Sequence, residues 1–385
     1  NIIYRNNVGD PDADPRNGAV NGGRSDQANI TLDGADNNDP QMGLAFQGVL
    51  RVPVEAIQEF RVITTGAGAE LGRSSGAQIS LVSRSGDRAF HGSLFHSHRN
   101  TATAANTWFN NRIGTARPKL LRNVFGAVLG GPILPGRVHF FAAYEGRRDA
   151  SEATVLRNVP TEAFRNGTVR YLTAGGEVRA VTPEQLRAID PRGIGTNAAA
   201  LELLRRFPLP NDRPTIDPLN FGGFRFNSPV RDSMNTALVR LDLRWRERHN
   251  VWIRGSLQND RGEDPRQLPG TPPPIIRRDT SKGFLLAWSS PWRADLTQTL
   301  RYGLTRLGLD ELGTATGPQF SFGGGIGAPI PFTYSRGRRT PVHNLIGDWA
   351  WSPQSRHMLL FGANLRWIGN DRYNFESNRT LMVTQ

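Results

Sequence analysis

The chain has 385 residues, with 47 Lys plus Arg against 34 Asp plus Glu, 7 His and no Cys. The missing thiols exclude disulfides and thiolate metal sites, and the lack of any run of about 18 apolar residues excludes a transmembrane helix. The length allows two or three ordinary domains or one large barrel. The surplus of +13 is almost all arginine, since the only lysines are Lys119 and Lys282. These arginines are scattered, with no basic stripe of interleaved aromatics and no binding motif, which argues against nucleic acid as the main partner. The chain starts at Asn1 without Met or leader and stops at Gln385 just after an alternating segment, so it reads as an internal piece lacking both ends.

Residues 1 to about 40 are polar and loop-like. A strand at Asn29 to Leu32 runs into the turn Asp33-Gly34, and Asp33, Asp36 and Asp39 follow within a short span. A calcium loop needs closer alternate ligands and a bidentate Glu, so a turn cluster is expected. From Val52, Pro53 with Val54 and Ile57 marks a short helical piece. Phe60 and Val62 then alternate as a strand. Gly66, Gly68, Gly72 and Gly76 make a glycine-rich turn, and a second alternating strand runs from Ala77 to Ser83.

The pattern changes at Phe90. Segments of about ten residues alternate apolar and polar, the length and period of a tilted membrane-spanning strand. They fall at 90–97, 122–130, 137–147, 235–245, 250–259, 282–289, 295–308, 342–351 and 357–369. In one, Ala237, Val239, Leu241, Leu243 and Trp245 oppose Leu238, Arg240, Asp242 and Arg244. The next sets Val251, Ile253 and Leu257 against Arg254, Ser256 and Gln258. In 137–147, Val138, Phe140, Ala142 and Tyr144 oppose Glu145 and Arg147, and in the last segment Leu359, Phe361, Ala363, Leu365 and Trp367 oppose Asn364 and Arg366. The expected lumen-facing polar residues are therefore Glu145, Arg147, Arg240, Asp242, Arg244 and Arg254, because lipid rejects a charge by about 2–4 kcal/mol near its midplane.

Short turns at 131–136, 246–249, 290–294 and 352–356 alternate with long connections at 98–121, 148–234, 260–281 and 309–341. That asymmetry is the one expected of an outer-membrane barrel, with tight periplasmic turns and extended external loops. Trp245, Trp288, Trp292, Trp349 and Trp351 lie beside the short turns, as an inner aromatic girdle requires; the alternative is simple core packing. Within 148–234, Thr182-Pro183-Glu184-Gln185 is a capped helix start, and Asn197-Ala198 opens a second helix stopped by Pro208.

Three motifs imitate sites. Gly66-Ala67-Gly68 lacks the following helix that a dinucleotide fold needs. Gly72-Arg73-Ser74-Ser75-Gly76 has nucleophile-elbow spacing with a strand on the wrong side. His96 and His98 share one strand face, but without a third ligand they read as solvated. No catalytic, cofactor-binding or metal residue is expected.

The blocks GGRSDQANITLDGADNND (Gly22 to Asp39), VPVEAIQEFRVIT and GRSSGAQISLVSRSG, in that order, resemble TonB-dependent outer-membrane receptors of the Oar-like branch. The resemblance implies an all-β membrane fold. Residues 1–88 are then the C-terminal part of a plug domain, and 89–385 are the first strands, about nine, of an antiparallel transmembrane β-barrel. It also implies a non-enzymatic transporter in the Gram-negative cell outer membrane. Such a receptor binds an extracellular ligand at external loops and plug and imports it with energy from the TonB complex, which contacts an N-terminal segment absent here. Lipid and lipopolysaccharide are the expected surroundings. Gly66, Gly68, Gly72, Arg73 and Gly76 are the expected gating turn of the plug, although glycines there also serve plain tight turns. An adhesion or protein-export platform of the Oar-like type is the alternative, and a soluble β-rich binding protein is a third reading.

Overall fold

The computed structural model describes residues 20, 27–41, 48–68, 71–72, 74–213, 216–245, 248–314, 319–322, 334–354, 357–376 and 380–383. Four short strands come first: β1 (Asn29–Leu32), β2 (Ala35–Asp36), β3 (Ile57–Ile63) and β4 (Gln78–Ser83). They form one sheet in the order β2-β1-β4-β3, with β1 parallel to β4 through Asn29↔Gln78 to Leu32↔Leu81. The expected helical piece after Pro53 is a single 3-10 turn, Val54–Ala56, leading directly into β3.

The second sheet begins with β5 (His91–Asn100), helix α1 (Trp108–Arg112), β6 (Leu121–Leu134) and β7 (Val138–Pro160). Then come α2 (Glu162–Arg165), the hairpin β8 (Val169–Leu172) and β9 (Val178–Val181), α3 (Pro183–Ile189) and α4 (Ala198–Arg205). The wall resumes with β10 (Phe221–Trp245), β11 (His249–Gln258), β12 (Asp260–Glu263), β13 (Ile275–Asp279), β14 (Lys282–Arg293) and β15 (Leu296–Gly313). β16 (Gln319–Phe322), β17 (Tyr334–Gln354), β18 (His357–Ile368), β19 (Asp371–Glu376) and β20 (Thr380–Val383) complete the order. β11 with β12, β13 with β14, and β18 with β19 are each one stave with a local break. With those joined, nine antiparallel staves stand side by side in chain order among the described residues, each beginning or ending close to an expected spanning segment.

The staves run further than alternation alone indicates. β7 and β10 stay paired from Leu243↔Val138 out to Phe221↔Pro160. The 25 residues of β10 span about 80 Å at about 3.3 Å per residue, against a hydrocarbon core of about 30 Å. The two ends of the connection expected over 148–234 therefore belong to a strand hairpin, and its non-wall part is 161–220. Beyond the bilayer both faces of a strand meet water, so apolar alternation fades while the hydrogen-bonded ladder continues.

Inside 161–220 both expected helix starts are present. Thr182 and Gln185 form a reciprocal capping box on α3, and Asn197 caps α4. Val159, Leu204, Phe207 and Leu268 form a separate small core, with Phe164, Leu201, Phe221 and Phe224 packed against it.

Which face of the wall is which follows from burial. On β10 Thr236 and Leu238 are buried while Val239, Leu241, Leu243 and Trp245 are exposed. On β14 Leu285 and Ala287 are buried while Phe284 and Leu286 are exposed. The buried side meets the four-stranded sheet: Leu32, Val49, Leu50, Val52 and Ala56 form one cluster with Val128, Phe141, Ala143, Leu238 and Leu307 of the wall. The wall's inner face is thus apolar where the small sheet docks, not uniformly polar. The exposed side is the continuous apolar surface a bilayer needs.

Candidate functional site

The contact between the small sheet and the wall is built from a short stretch of the chain, Asp33 to Ala56. Asp33 sits at φ 54, a left-handed turn position that Asp tolerates because its carboxylate can bond locally. That carboxylate accepts from the Ser83 backbone N at 2.7 Å and from Ser83 Oγ at 3.0 Å. It also lies 3.1 Å from Arg254 Nη1 of β11, and the two side chains are only 2 % and 1 % exposed. The Arg254 contact is an ion pair without hydrogen-bond alignment, since its Nε and Nη1 have no hydrogen-bond partner.

Asp36 and Asp39 repeat the arrangement on other staves. Arg366 of β18 donates to Asp36 at 2.7 Å, Asn344 accepts from the Asp36 backbone N at 3.0 Å, and Thr305 Oγ1 donates to the Asp36 carbonyl at 2.7 Å. Asp39 receives two donors from Arg338 of β17. In the opposite sense, Arg51 reaches outward to Asp260 and to Thr236 Oγ1 at 2.9 Å. Gln258 Nε2 donates to the Val49 carbonyl at 3.2 Å. Arg240 Nη1 donates to the Ser83 carbonyl at 3.0 Å. Close packing completes the seam. A Cβ placed on Gly283 would meet Leu50 Cδ1 at 2.2 Å, and one on Gly303 would lie 2.8 Å from Ala35 Cβ.

Of the residues expected to face the lumen, Arg254 and Arg240 touch the small sheet, and Asp242 holds the Arg240 guanidinium at 2.8 Å. Glu145 is half-buried on the inner side of β7, within electrostatic range of Arg51. Arg147 belongs to a separate triad in which Asp149 bridges Arg147 and Arg122. Arg244 is exposed near the short turn and takes no part in the seam. In the glycine-rich turn, Gly66 (φ 66) and Gly72 (φ 42) require left-handed backbone and have open space around them. The Gly68 carbonyl accepts from Leu71 N, and Gly76 packs against the Gln27 backbone. Arg73 lies outside the described residues.

The residues that sequence reasoning placed elsewhere are Asp33, Asp36 and Asp39. They are not merely a turn cluster: each meets a different wall arginine. Their spacing beside a strand end, facing inward arginines on later strands, was the available signal. His96 and His98 both contact Asn123 Oδ1, at 3.2 and 2.8 Å. Among the described residues no group of three or more His, Cys, Asp or Glu could hold a metal ion.

At the far end of the wall, α1 is clasped to β10. Asp212 lies between Arg112 and Arg225, the latter at 2.7 Å, while Arg225 sits 5.1 Å from the Phe109 ring centre. Burial raises the Asp212 carboxyl, but the hydrogen bonds from Arg225 and the Arg213 backbone, with the charges of Arg225 and Arg112, outweigh it and hold it below the ordinary carboxylate range. At the short-turn end, Trp245 stands 5.6 Å from His249, His249 stands 6.1 Å from Trp288, and Trp349 stacks on Phe361 at 5.7 Å.

A plugged antiparallel wall with an apolar exterior defines an outer-membrane barrel protein, and the comparisons agree. The model of the outer membrane beta barrel domain family matches residues 82–382, and the chain belongs to that family. Its setting is the Gram-negative outer membrane, and its recognisable kin are TonB-dependent receptors and transporters. The chain is 35% identical over 130 residues to the TonB-dependent transporter Oar of Myxococcus xanthus, covering 33% of this chain and 12% of that protein. The fold is similar to the outer membrane transporter YddB of Escherichia coli, with a TM-score of 0.57 and 11% identity, covering 95% of this chain and 43% of that one. The alcaligin outer membrane receptor FauA of Bordetella pertussis also matches, at a TM-score of 0.43 and 11% identity, over 91% of this chain and 48% of that one. The chain thus spans less than half the length of each of these relatives.

Proposed function

We propose that residues 1–88 are the C-terminal part of a movable plug and 89–385 the first staves of a receptor barrel. The receptor binds an extracellular ligand at its external loops and plug and imports it when the TonB complex pulls on the plug. The observation that supports this reading is the seam: a small sheet held to many staves by exchangeable ion pairs rather than by main-chain ladders. Such contacts can be broken and remade without unfolding the wall. The matched relative is a transporter, which supports a non-enzymatic role.

Accumulation of labelled iron chelates, glycans, peptides and vitamins in cells bearing the full-length protein tests the import reading. Uptake of at least one class that stops when TonB is deleted is expected, and uptake of none overturns it. An Ala35→Cys/Gly303→Cys pair sharpens the test, because its Cβ atoms fall close together. Oxidation is expected to block uptake and reductant to restore it. Within the plug, the turn Gly66–Gly76 is the gating element, with Gly66, Gly68, Gly72, Arg73 and Gly76 as its residues. Gly68→Pro and Gly72→Val are expected to slow transport, and wild-type rates in both would remove the turn from the mechanism. The residues 161–220, which share a small core with Val159 and Leu268 of the neighbouring segments, favour a second reading as an adhesion or protein-export platform. Deleting 161–220 would then abolish cell adhesion or secretion while leaving TonB-dependent uptake intact.

A further inference from the structure

The first two staves carry a second feature, on the side away from the plug. Val128 on β6, like Phe141 and Ala143 on β7, is buried toward the plug. Alternation then keeps the even positions of β6 inward, and Arg122, one of them, pairs with Arg99 of β5. The outward set is therefore Asn123 on β6 with Leu94, His96 and His98 on β5. Leu94 is 86 % exposed, as that side requires. His98 stands directly opposite Asn123, and His96 is one diagonal step away, opposite Phe125.

Its height follows from counting. Asn123 pairs with Arg148, which lies ten residues beyond Val138, where β7 leaves its short turn. At about 3.4 Å per residue and a tilt of about 40°, that is about 25 Å along the membrane normal, the height of a barrel's apolar band. The two histidines thus stand where the outer face returns to water, and both are exposed.

Along the sequence the histidine pair offers two ligands, and the sheet adds a third. His96 Nε2 lies 3.2 Å and His98 Nδ1 2.8 Å from one atom, Asn123 Oδ1. Around an ion with metal–nitrogen distances of about 2.0–2.1 Å, ligand atoms stand about 2.9 Å apart at a right angle and about 3.4 Å apart at the tetrahedral angle. The two contacts match those edges closely. Arg148, opposite Asn123 on β7, directs its donors to the Arg147 and Met234 carbonyls and to Asn235 Oδ1. Its guanidinium is thereby turned toward β10, and the amide oxygen is left to the rings. On the far side of His98, Asn100 Nδ2 lies 3.4 Å from Nε2, while Asn100 Oδ1 accepts from Ala102 N at 2.9 Å. That contact fixes the ring's orientation, as the outer partner of a metal-bound imidazole does.

We propose that His96, His98 and Asn123 bind a divalent first-row transition ion, Cu²⁺ in preference to Zn²⁺, with water completing its shell. Imidazole suits both ions, and the usual affinity order places Cu²⁺ above Zn²⁺. All three ligands are neutral, so the ion keeps its charge and needs the aqueous exposure this position has. Bound across β5 and β6, it clips the first stave to the second. The site lies outside the barrel, so its ion is no cargo of the lumen, and the inference is independent of the transport reading.

The tag-free full-length protein in dodecyl maltoside, stripped with chelator and titrated by calorimetry with CuCl₂ and separately with ZnCl₂, tests it. Wild type is expected to bind one equivalent more than His96→Gln/His98→Gln, and to hold Cu²⁺ more tightly than Zn²⁺. Asn123→Leu should weaken that equivalent at least about tenfold, and Asn123→Asp, which supplies a charged oxygen at the same place, should tighten it. His357→Gln, at the short-turn end of the wall, should change nothing. Electron paramagnetic resonance of the Cu²⁺ form should show coupling to two nitrogens that the double variant lacks. Equal stoichiometry in wild type and the double histidine variant overturns the proposal. So does wild-type affinity in Asn123→Leu, which would leave two exposed histidines and no third ligand.

Discussion

The two faces of one wall strand, a residue apart, meet opposite surroundings. On β10 the inward set, Thr236, Leu238 and Arg240, meets Arg51, the plug-side apolar cluster and Ser83. One residue away, Val239, Leu241 and Leu243 are exposed on the opposite face. A charge is stabilised on the first face by a specific partner and is costly on the second for lack of one. The same arginine type is therefore a fastener inside and a defect where the outer face meets hydrocarbon.

The sharpest way to break this comparison is to strip one buried inner charge of its partner. Asp33→Asn keeps the turn and the Ser83 contact but leaves Arg254 buried and unpaired, which is expected to cost about 3–5 kcal/mol. Denaturant unfolding and protease cleavage of the plug segment would read it. Adding Arg254→Met should recover most of the loss, because the isolated charge is what is costly. A silent Asp33→Asn would mean that the ion pair fastens nothing.

The outer face predicts the reverse sign for an added charge. Val239→Arg, outward and near the middle of the apolar band, is expected to destabilise the membrane-inserted protein by about 2–4 kcal/mol, measured by unfolding from lipid vesicles. A neutral result would mean that Val239 does not face hydrocarbon. Smaller still is a packing test at the seam. Gly283→Val would drive into Leu50 and is expected to cost about 1–3 kcal/mol, with recovery when Leu50→Ala is added.

These effects also show what a sequence discloses. The spanning alternation was legible because lipid imposes a period of two on every residue it touches. The outward continuation of β7 and β10 was not, because strands bathed in water on both faces carry no such signature. The lumen arginines Arg240 and Arg254 were legible as polar residues opposite an apolar stripe. Their partners were not, since Asp36 lies 330 positions from Arg366 and Asp39 lies 299 from Arg338. Three acids beside a turn look local until the topology supplies what they face. The apolar patch on the inner wall was hidden in the same way: Leu238 sat among charged neighbours and disclosed a docking surface only once Leu32, Leu50 and Val52 were placed on it.

The external layer extends the comparison to a region where neither lipid nor plug is present, and there pH is the probe. Asp212 is held below the ordinary carboxylate range against the upward push of burial, chiefly through Arg225. A carboxyl with a lowered folded value contributes stability that is fully present above its unfolded value, near 3.9, and is lost as pH falls through the lowered folded one. The clasp between α1 and β10 is therefore expected to hold at neutral pH and to loosen only below about pH 4. Trp108 is half of an edge-to-face pair with Phe109 at 5.2 Å, so its fluorescence should report the loosening. Asp212→Asn should loosen the clasp already at pH 7 and flatten the acid transition. An unchanged transition in that variant would place the acid sensitivity on other carboxylates and leave α1 held by its aromatic contacts alone.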